Sequence, residues 1–221
     1  MSDLGFKAFD ADNHYYEHED AFIRHIDPKF KNRAMQWADV NGRRCLLVAG
    51  KVNRFIPNPT FDPVAKPGCL DEYFRGQNQE GKSIKEIFGA LDPINPAYRD
   101  RDARLALMDS QDLDACFMFP TLGVGMEEAL IDDPEALVAA FEAFNRWMQE
   151  DWGFAYQERI YAAPYITMVD LDAAMEELDF ALANDARVIC MRAAPIVTPE
   201  GSLSPADERF DPFWKKINDS G

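Results

Sequence analysis

Residues 101–121 read RDARLALMDSQDLDACFMFPT, and this stretch decides the fold. Its first part predicts a helix over Arg101–Asp112, with Ala103, Ala106, Leu107 and Ser110 on one side. Its second part, Asp114–Thr121, is a short apolar run of the kind that forms a buried strand. A helix that feeds a buried strand is one step of a parallel β/α repeat, because parallel strands need crossover helices.

Working outward, the repeat recurs. Asp133-Pro134 supplies an N-cap and a proline at the first helical position. The helix it opens carries Leu137, Ala140, Phe141, Phe144, Trp147, Met148 and Trp152 at three-and-four spacing, and Gly153 ends it. Arg159–Met168 reads as a strand. Asp170 caps a further amphipathic helix with Leu171, Ala174, Met175, Leu178 and Ala181 turned inward. Arg187–Arg192 reads as another strand, and Asp211-Pro212 opens a helix with Phe213, Trp214 and Ile217. Toward the N-terminus, Phe6-Lys7-Ala8-Phe9 alternates like a short strand and runs into Asp10-Ala11-Asp12.

Between the first strand and the regular part lies an insertion, roughly residues 15–98. It holds Pro28, Pro57, Pro59, Pro63, Pro67, Pro93 and Pro96, with short helices expected at Glu19–His25 and Ser83–Phe88. A structureless loop of that length is uncommon in a compact domain unless it is functional, so a lid is expected.

The predicted fold is therefore α/β: a partial TIM (β/α)8 barrel of about four βα units, with a long insertion after strand 1 and one domain over residues 1–221. An open nucleotide-binding sheet loses support, since neither GxGxxG nor GxxxxGK[ST] follows a strand. The Thr121–Gly125 cluster (TLGVG) is too weak a signal for a phosphate cradle. Four units do not close an eight-stranded barrel, and no internal repeat is visible. The N-terminal half of a barrel, or a truncated product, is expected.

Composition narrows the partners. The chain has 221 residues, 47% hydrophobic and 28% charged, with 16 Phe, 7 Tyr and 4 Trp, enough for a sizeable core. Its formal charge is -16, which repels nucleic acid and anionic membranes and leaves a small-molecule substrate as the expected partner. No apolar run approaches the ~20 residues of a membrane span, and Met1–Phe6 does not resemble a signal peptide. Cys45, Cys69, Cys116 and Cys190 are scattered, as expected in a reducing cytoplasm.

The densest chemistry lies in Asp10-Ala11-Asp12-Asn13-His14 at the end of the first strand. Alternation along a strand would turn Asp10, Asp12 and His14 the same way. A carboxylate and an imidazole at the mouth of a barrel can ligate one divalent metal, with Zn2+ favoured and Mn2+ the alternative. The bland reading makes the acids turn residues and His14 a surface side chain. An overlapping pattern, His14-Tyr15-Tyr16-Glu17-His18, matches the H-x-x-E-H of inverted zinc peptidases. It would need a helix and a distant acid such as Glu80 or Glu86.

The segments Phe9–Glu17, Arg104–Thr121, Asn145–Phe154, Arg159–Pro164 and Arg187–Ala193 together resemble the amidohydrolase-2 branch of the amidohydrolase superfamily. That group of metal-dependent barrels includes aminocarboxymuconate-semialdehyde decarboxylase and aromatic-acid decarboxylases. The resemblance implies that Asp12 and His14 bind the metal and that Asp10 supports them from behind. It implies a metal-dependent hydrolase acting on a small carboxylate, amide, ester or lactone, or alternatively a non-oxidative decarboxylase. It also implies later histidine ligands, yet this chain has no histidine after His25. A contrasting expectation is an inactive fragment that associates through open sheet edges, and a homo-oligomer is expected either way.

Arg192 ends the last strand-like run. It is expected either to bind a substrate carboxylate or to pair with a neighbouring acid. Trp147 and Trp152 are expected in the core. Phe55, Phe61, Tyr73 and Phe74 are expected in a lid or a satellite core under the insertion, and His18 and His25 in solvent.

Overall fold

Side-chain period and capping account for most of the elements in the computed structural model, which describes residues 5–54, 58–198 and 201–221. The first strand, β1 (Ala8–His14), leads into the insertion. There β2 (Met35–Val40), β3 (Arg43–Val48) and β4 (Lys51–Val52) form an antiparallel sheet, followed by α1 (Asp71–Phe74) and α2 (Ile84–Phe88). The β2–β3 turn is Asn41-Gly42, with both residues at positive φ (52° and 74°), the geometry this dipeptide favours in two-residue hairpins. Ser83 starts α2 through a reciprocal capping box with Glu86.

The repeat follows as α3 (Arg101–Ser110), β5 (Leu113–Phe119), α4 (Met126–Leu130), α5 (Pro134–Asp151), β6 (Ile160–Ala162) and α6 (Leu171–Ala183). The hairpin β7 (Ile196–Thr198)–β8 (Gly201–Leu203) and α7 (Asp211–Asp219) complete the described chain. Asp100, Asp133 and Asp170 each cap the following helix, accepting from the backbone N–H of Ala103, Ala136 and Ala173. The strands β1, β5 and β6 pair in parallel in that spatial order. The fold is α/β with a parallel sheet, and no closed barrel forms among the described residues.

Cys116, Met118, Ile160 and Ala162 are wholly buried on one face of this sheet, in a cluster with Met108 of α3 and Phe141, Phe144 and Trp147 of α5. The insertion joins that core. Phe22 stacks on Phe144 at 4.2 Å between ring centroids, and Ile26, Met35, Leu46, Val48 and Phe61 belong to the same cluster. Phe61 is thus core, whereas Tyr73 and Phe74 are exposed and Phe55 lies outside the described residues.

Two predicted strands are shorter than expected. Arg159–Met168 is a strand only over Ile160–Ala162, and Arg187–Arg192 makes one parallel bridge, Cys190 to Tyr165. The cause is local. Pro164 has no N–H for a ladder, and the buried Asn145 amide takes the N–H and C=O of Tyr165 itself. The predicted helix at Glu19–His25 is instead a run of turns.

Candidate functional site at the end of the first strand

A β-bulge shapes the site. Asp10 pairs with Cys116 and Asn13 with Met118, so three steps on β1 oppose two on β5. Strict alternation therefore fails. Asp10 and Asn13 share the helix-covered face with Cys116 and Met118, while Phe9 and His14 share the opposite face with Ala115 and Phe119. The expected common orientation of Asp10, Asp12 and His14 is corrected by this extra residue.

The structure brings Asp12 and His14 together, with His14 Nε2 3.4 Å from Asp12 Oδ1. The other ring nitrogen, Nδ1, lies 3.1 Å from the carbonyl oxygen of Pro120. A carbonyl only accepts, so Nδ1 donates, and in the neutral ring Nε2 turns a lone pair toward the Asp12 carboxylate. Two acceptors facing each other repel unless a cation, proton or metal, lies between them. Two atoms each about 2.1 Å from a tetrahedral ion stand about 3.4 Å apart, so this donor pair fits the metal. Among the described residues no group of three or more metal-capable side chains exists.

Asp10 acts from behind the bulge. Its Oδ1 accepts from the backbone N–H of Asp12 at 3.2 Å, and its Oδ2 accepts from Asn13 Nδ2 at 2.8 Å. Arg104 holds the same turn from α3. Its Nη1 donates to Asn13 Oδ1 and its Nη2 to the carbonyl of His14. His14 borders a cavity of about 620 Å³, together with Tyr16, Pro67, Tyr98, Arg104 and Val124. Asp12 is exposed and does not line it.

Glu17 is the functional-looking residue that sequence reasoning missed in this role. It sits outside any helix and is 2% exposed, so the zinc-peptidase reading of His14–His18 has no helical scaffold. Its carboxylate accepts from the backbone N–H groups of Thr121, Leu122 and Gly123, at 2.9–3.0 Å. Burial pushes its pKa up to about 7 against the opposing pull of those donors. Gly123 is needed here, since a Cβ would meet Pro120 Cβ at 2.9 Å. The bonds tie the exit of β1 to the exit of β5, and thereby fix Pro120 beneath His14. The TLGVG cluster is the signal that could have revealed it: its amides cradle a carboxylate of the chain itself.

Arg192 lies apart from the cavity. Its Nη2 pairs with Glu128, and its Nη1 is buried without a hydrogen-bond partner. Trp147 and Trp152 are fully buried. His25 pairs with Glu150 at 2.9 Å.

No family model and no curated protein matches the sequence. Among solved structures, an amidohydrolase from Mycobacterium avium subsp. paratuberculosis K-10 superposes with a TM-score of 0.94 at 43% identity, over 99% of this chain and 57% of that one. A second, 2,6-dihydroxybenzoate decarboxylase from Rhizobium, matches with a TM-score of 0.43 at 21% identity, over 72% of this chain and 45% of that one. The chain thus spans little more than half the length of the first. No helix among the described residues is long and apolar enough to cross a membrane.

Proposed function

The chain belongs to the amidohydrolase superfamily, and on that footing we propose that it is the metal-binding N-terminal part of a hydrolase acting on a small carboxylate, amide, ester or lactone. Its open parallel sheet would be an arc of a (β/α)8 barrel, with the site at the C-terminal ends of the strands. The observation that carries the reading is the 3.4 Å approach of His14 Nε2 to Asp12 Oδ1 with Nδ1 already bonded to Pro120. Asp12 and His14 would hold the ion, zinc by preference and manganese as the alternative. When bound, such an ion supplies Lewis acidity toward a substrate oxygen.

The remaining residues position and enclose. The Pro120 carbonyl fixes the His14 tautomer and ring plane, as partners of ligating histidines do. Arg104 and Asp10 hold the bulge that lets Asp12 turn back toward His14. Tyr16, Tyr98 and Val124 give the cavity apolar walls that would seat the body of a substrate. Arg192 would take a substrate carboxylate through Nη1, which has no partner, while Nη2 keeps Glu128.

Calorimetric titration of the metal-free 221-residue chain with zinc tests the reading. Zinc should bind at one site, and His14→Ala and Asp12→Ala should each weaken it at least tenfold. Unchanged affinity in both variants would sink the assignment.

A further inference from the structure

A second cavity, also of about 620 Å³, lies where the starts of α5 and α6 meet the insertion. Phe30, Ile131, Val138, Ala139, Val169 and Val197 give it apolar walls. Asp132, Glu135, Glu142 and Asp170 line it as well, and no lysine or arginine does. The cations beside it are engaged. Arg33 holds Asp133 and Glu135, Lys29 holds Asp27, and Arg146 holds Glu177. Asp132 and Glu142 have no ion pair among the described residues.

The cavity is an elongated groove. Glu135, Val138 and Glu142 follow one another on α5 at three- and four-residue spacing, so they share one stripe of the helix. At a rise of about 1.5 Å per residue the two glutamates stand roughly 10 Å apart, with Val138 and Ala139 between them. Glu142 is half-buried. Burial, with Glu177 nearby, raises the pKa of its carboxyl against the pull of Arg146 and Lys29. Val138 and Glu142 also border a recess of about 10 Å³, room for about one water-sized group. Thr167 lines that recess, is 6% exposed, and has no hydrogen-bond partner for its Oγ1. A primary ammonium has that size and three N–H donors, and the Thr167 hydroxyl and Glu142 carboxylate are acceptors for it. A guanidinium is too large to enter.

We propose that this groove docks an apolar segment of another protein that carries lysines about two helical turns apart, one ammonium seated in the recess beside Thr167. Charge complementarity selects the occupant: apolar walls with an acid at each end match an amphipathic basic segment. A second copy of this chain, at a formal charge of -16, would bring like charges to the groove. The groove shares no lining residue with the cavity beside His14, so the proposal stands without the metal reading.

Fluorescence anisotropy tests it. The full chain is titrated into a labelled leucine-rich helical peptide with two lysines seven residues apart, and into matched peptides carrying arginine or glutamate in their place. The lysine peptide should bind at least tenfold more tightly than the glutamate peptide and at least threefold more tightly than the arginine peptide. Val138→Asp adds a negative charge, so a general attraction to an acidic surface would survive it. Docking should instead weaken at least tenfold, with the chain still folded by circular dichroism. Glu142→Gln should weaken binding at least fivefold, whereas Glu72→Gln, the same loss of charge on α1, should leave it unchanged. Equal binding of the lysine and arginine peptides, equal effects of Glu142→Gln and Glu72→Gln, or binding indifferent to Val138→Asp overturns the proposal. A chain that takes up no peptide but self-associates, and loses that self-association on Val138→Asp, also overturns it and assigns the groove to a second copy.

Discussion

The two faces of the parallel sheet meet different surroundings. On one face Cys116, Met118, Ile160 and Ala162 are fully buried under α3 and α5. On the other, Phe9 is 48% exposed, and Phe117, Phe119 and Tyr161 are only half-buried, touching one another edge to face. That row ends at His14, whose ring lies 6.2 Å from Phe119. The covered face carries the stability of the fold. The open face ends at the proposed metal pair, and its half-buried aromatic row is an apolar surface of the kind that marks an interface or a binding groove.

Truncation on each side separates the two roles. Met118→Ala should cost about 2–5 kcal/mol in urea unfolding, since it empties a packed position beneath the helices. Phe117→Ala on the open face should cost about 1 kcal/mol, the scale of its edge contacts with Phe9 and Tyr161. If Phe117→Ala costs as much as Met118→Ala, the open face is covered in solution and the contrast breaks.

Acidity sharpens the comparison at the point where β1 and β5 leave the sheet. The Glu17 carboxyl rises from an ordinary 4.5 to about 7 on folding, chiefly through burial. Its contribution to stability is then fully present below about pH 4.5 and is lost as pH rises through about 7. The integrated change is about 3 kcal/mol. Unfolding free energy measured from pH 4.5 to 8 should fall accordingly in the wild type, and Glu17→Gln should flatten that slope. A slope that survives the substitution would assign the dependence to another group.

Much of this was legible in the residues, and the failures have physical causes. The caps Asp133 and Asp170 and the apolar spacing of α5 and α6 mark those helices to within a residue or two. The strand around Cys116 was equally plain. The β2–β3 hairpin was also legible, in Asn41-Gly42 between runs of alternating character, but proline content drew the reading toward a loop. Arg159–Met168 looked like a strand because its composition is right; Asn145, twenty residues away in sequence, captures the backbone of Tyr165 and ends it. The spacing pointed to the Asp12–His14 pair, but the pair meets through a bulge that also reverses the expected orientation of Asp10, and a bulge leaves no mark on the one-dimensional pattern. Arg104 and Glu17 were hidden for a related reason. Their roles come from contacts 90 or more residues distant, and nothing in their own neighbourhood announces a cavity or a ring of amides.

The bulge itself gives the smallest and most local test. Asp10 lies on the covered face but holds, through the backbone of Asp12, a side chain that serves the open one. Asp10→Ala removes two hydrogen bonds near the surface, so the unfolding free energy should drop by about 1 kcal/mol. Zinc affinity should weaken several-fold, since Asp12 loses the bond that sets its direction while His14 keeps Pro120. Asp10→Asn retains an acceptor for the Asp12 N–H and should recover most of the zinc affinity. If zinc binding ignores Asp10→Ala, Arg104 alone holds the turn, and the carboxylate behind the sheet has no part in the site in front of it.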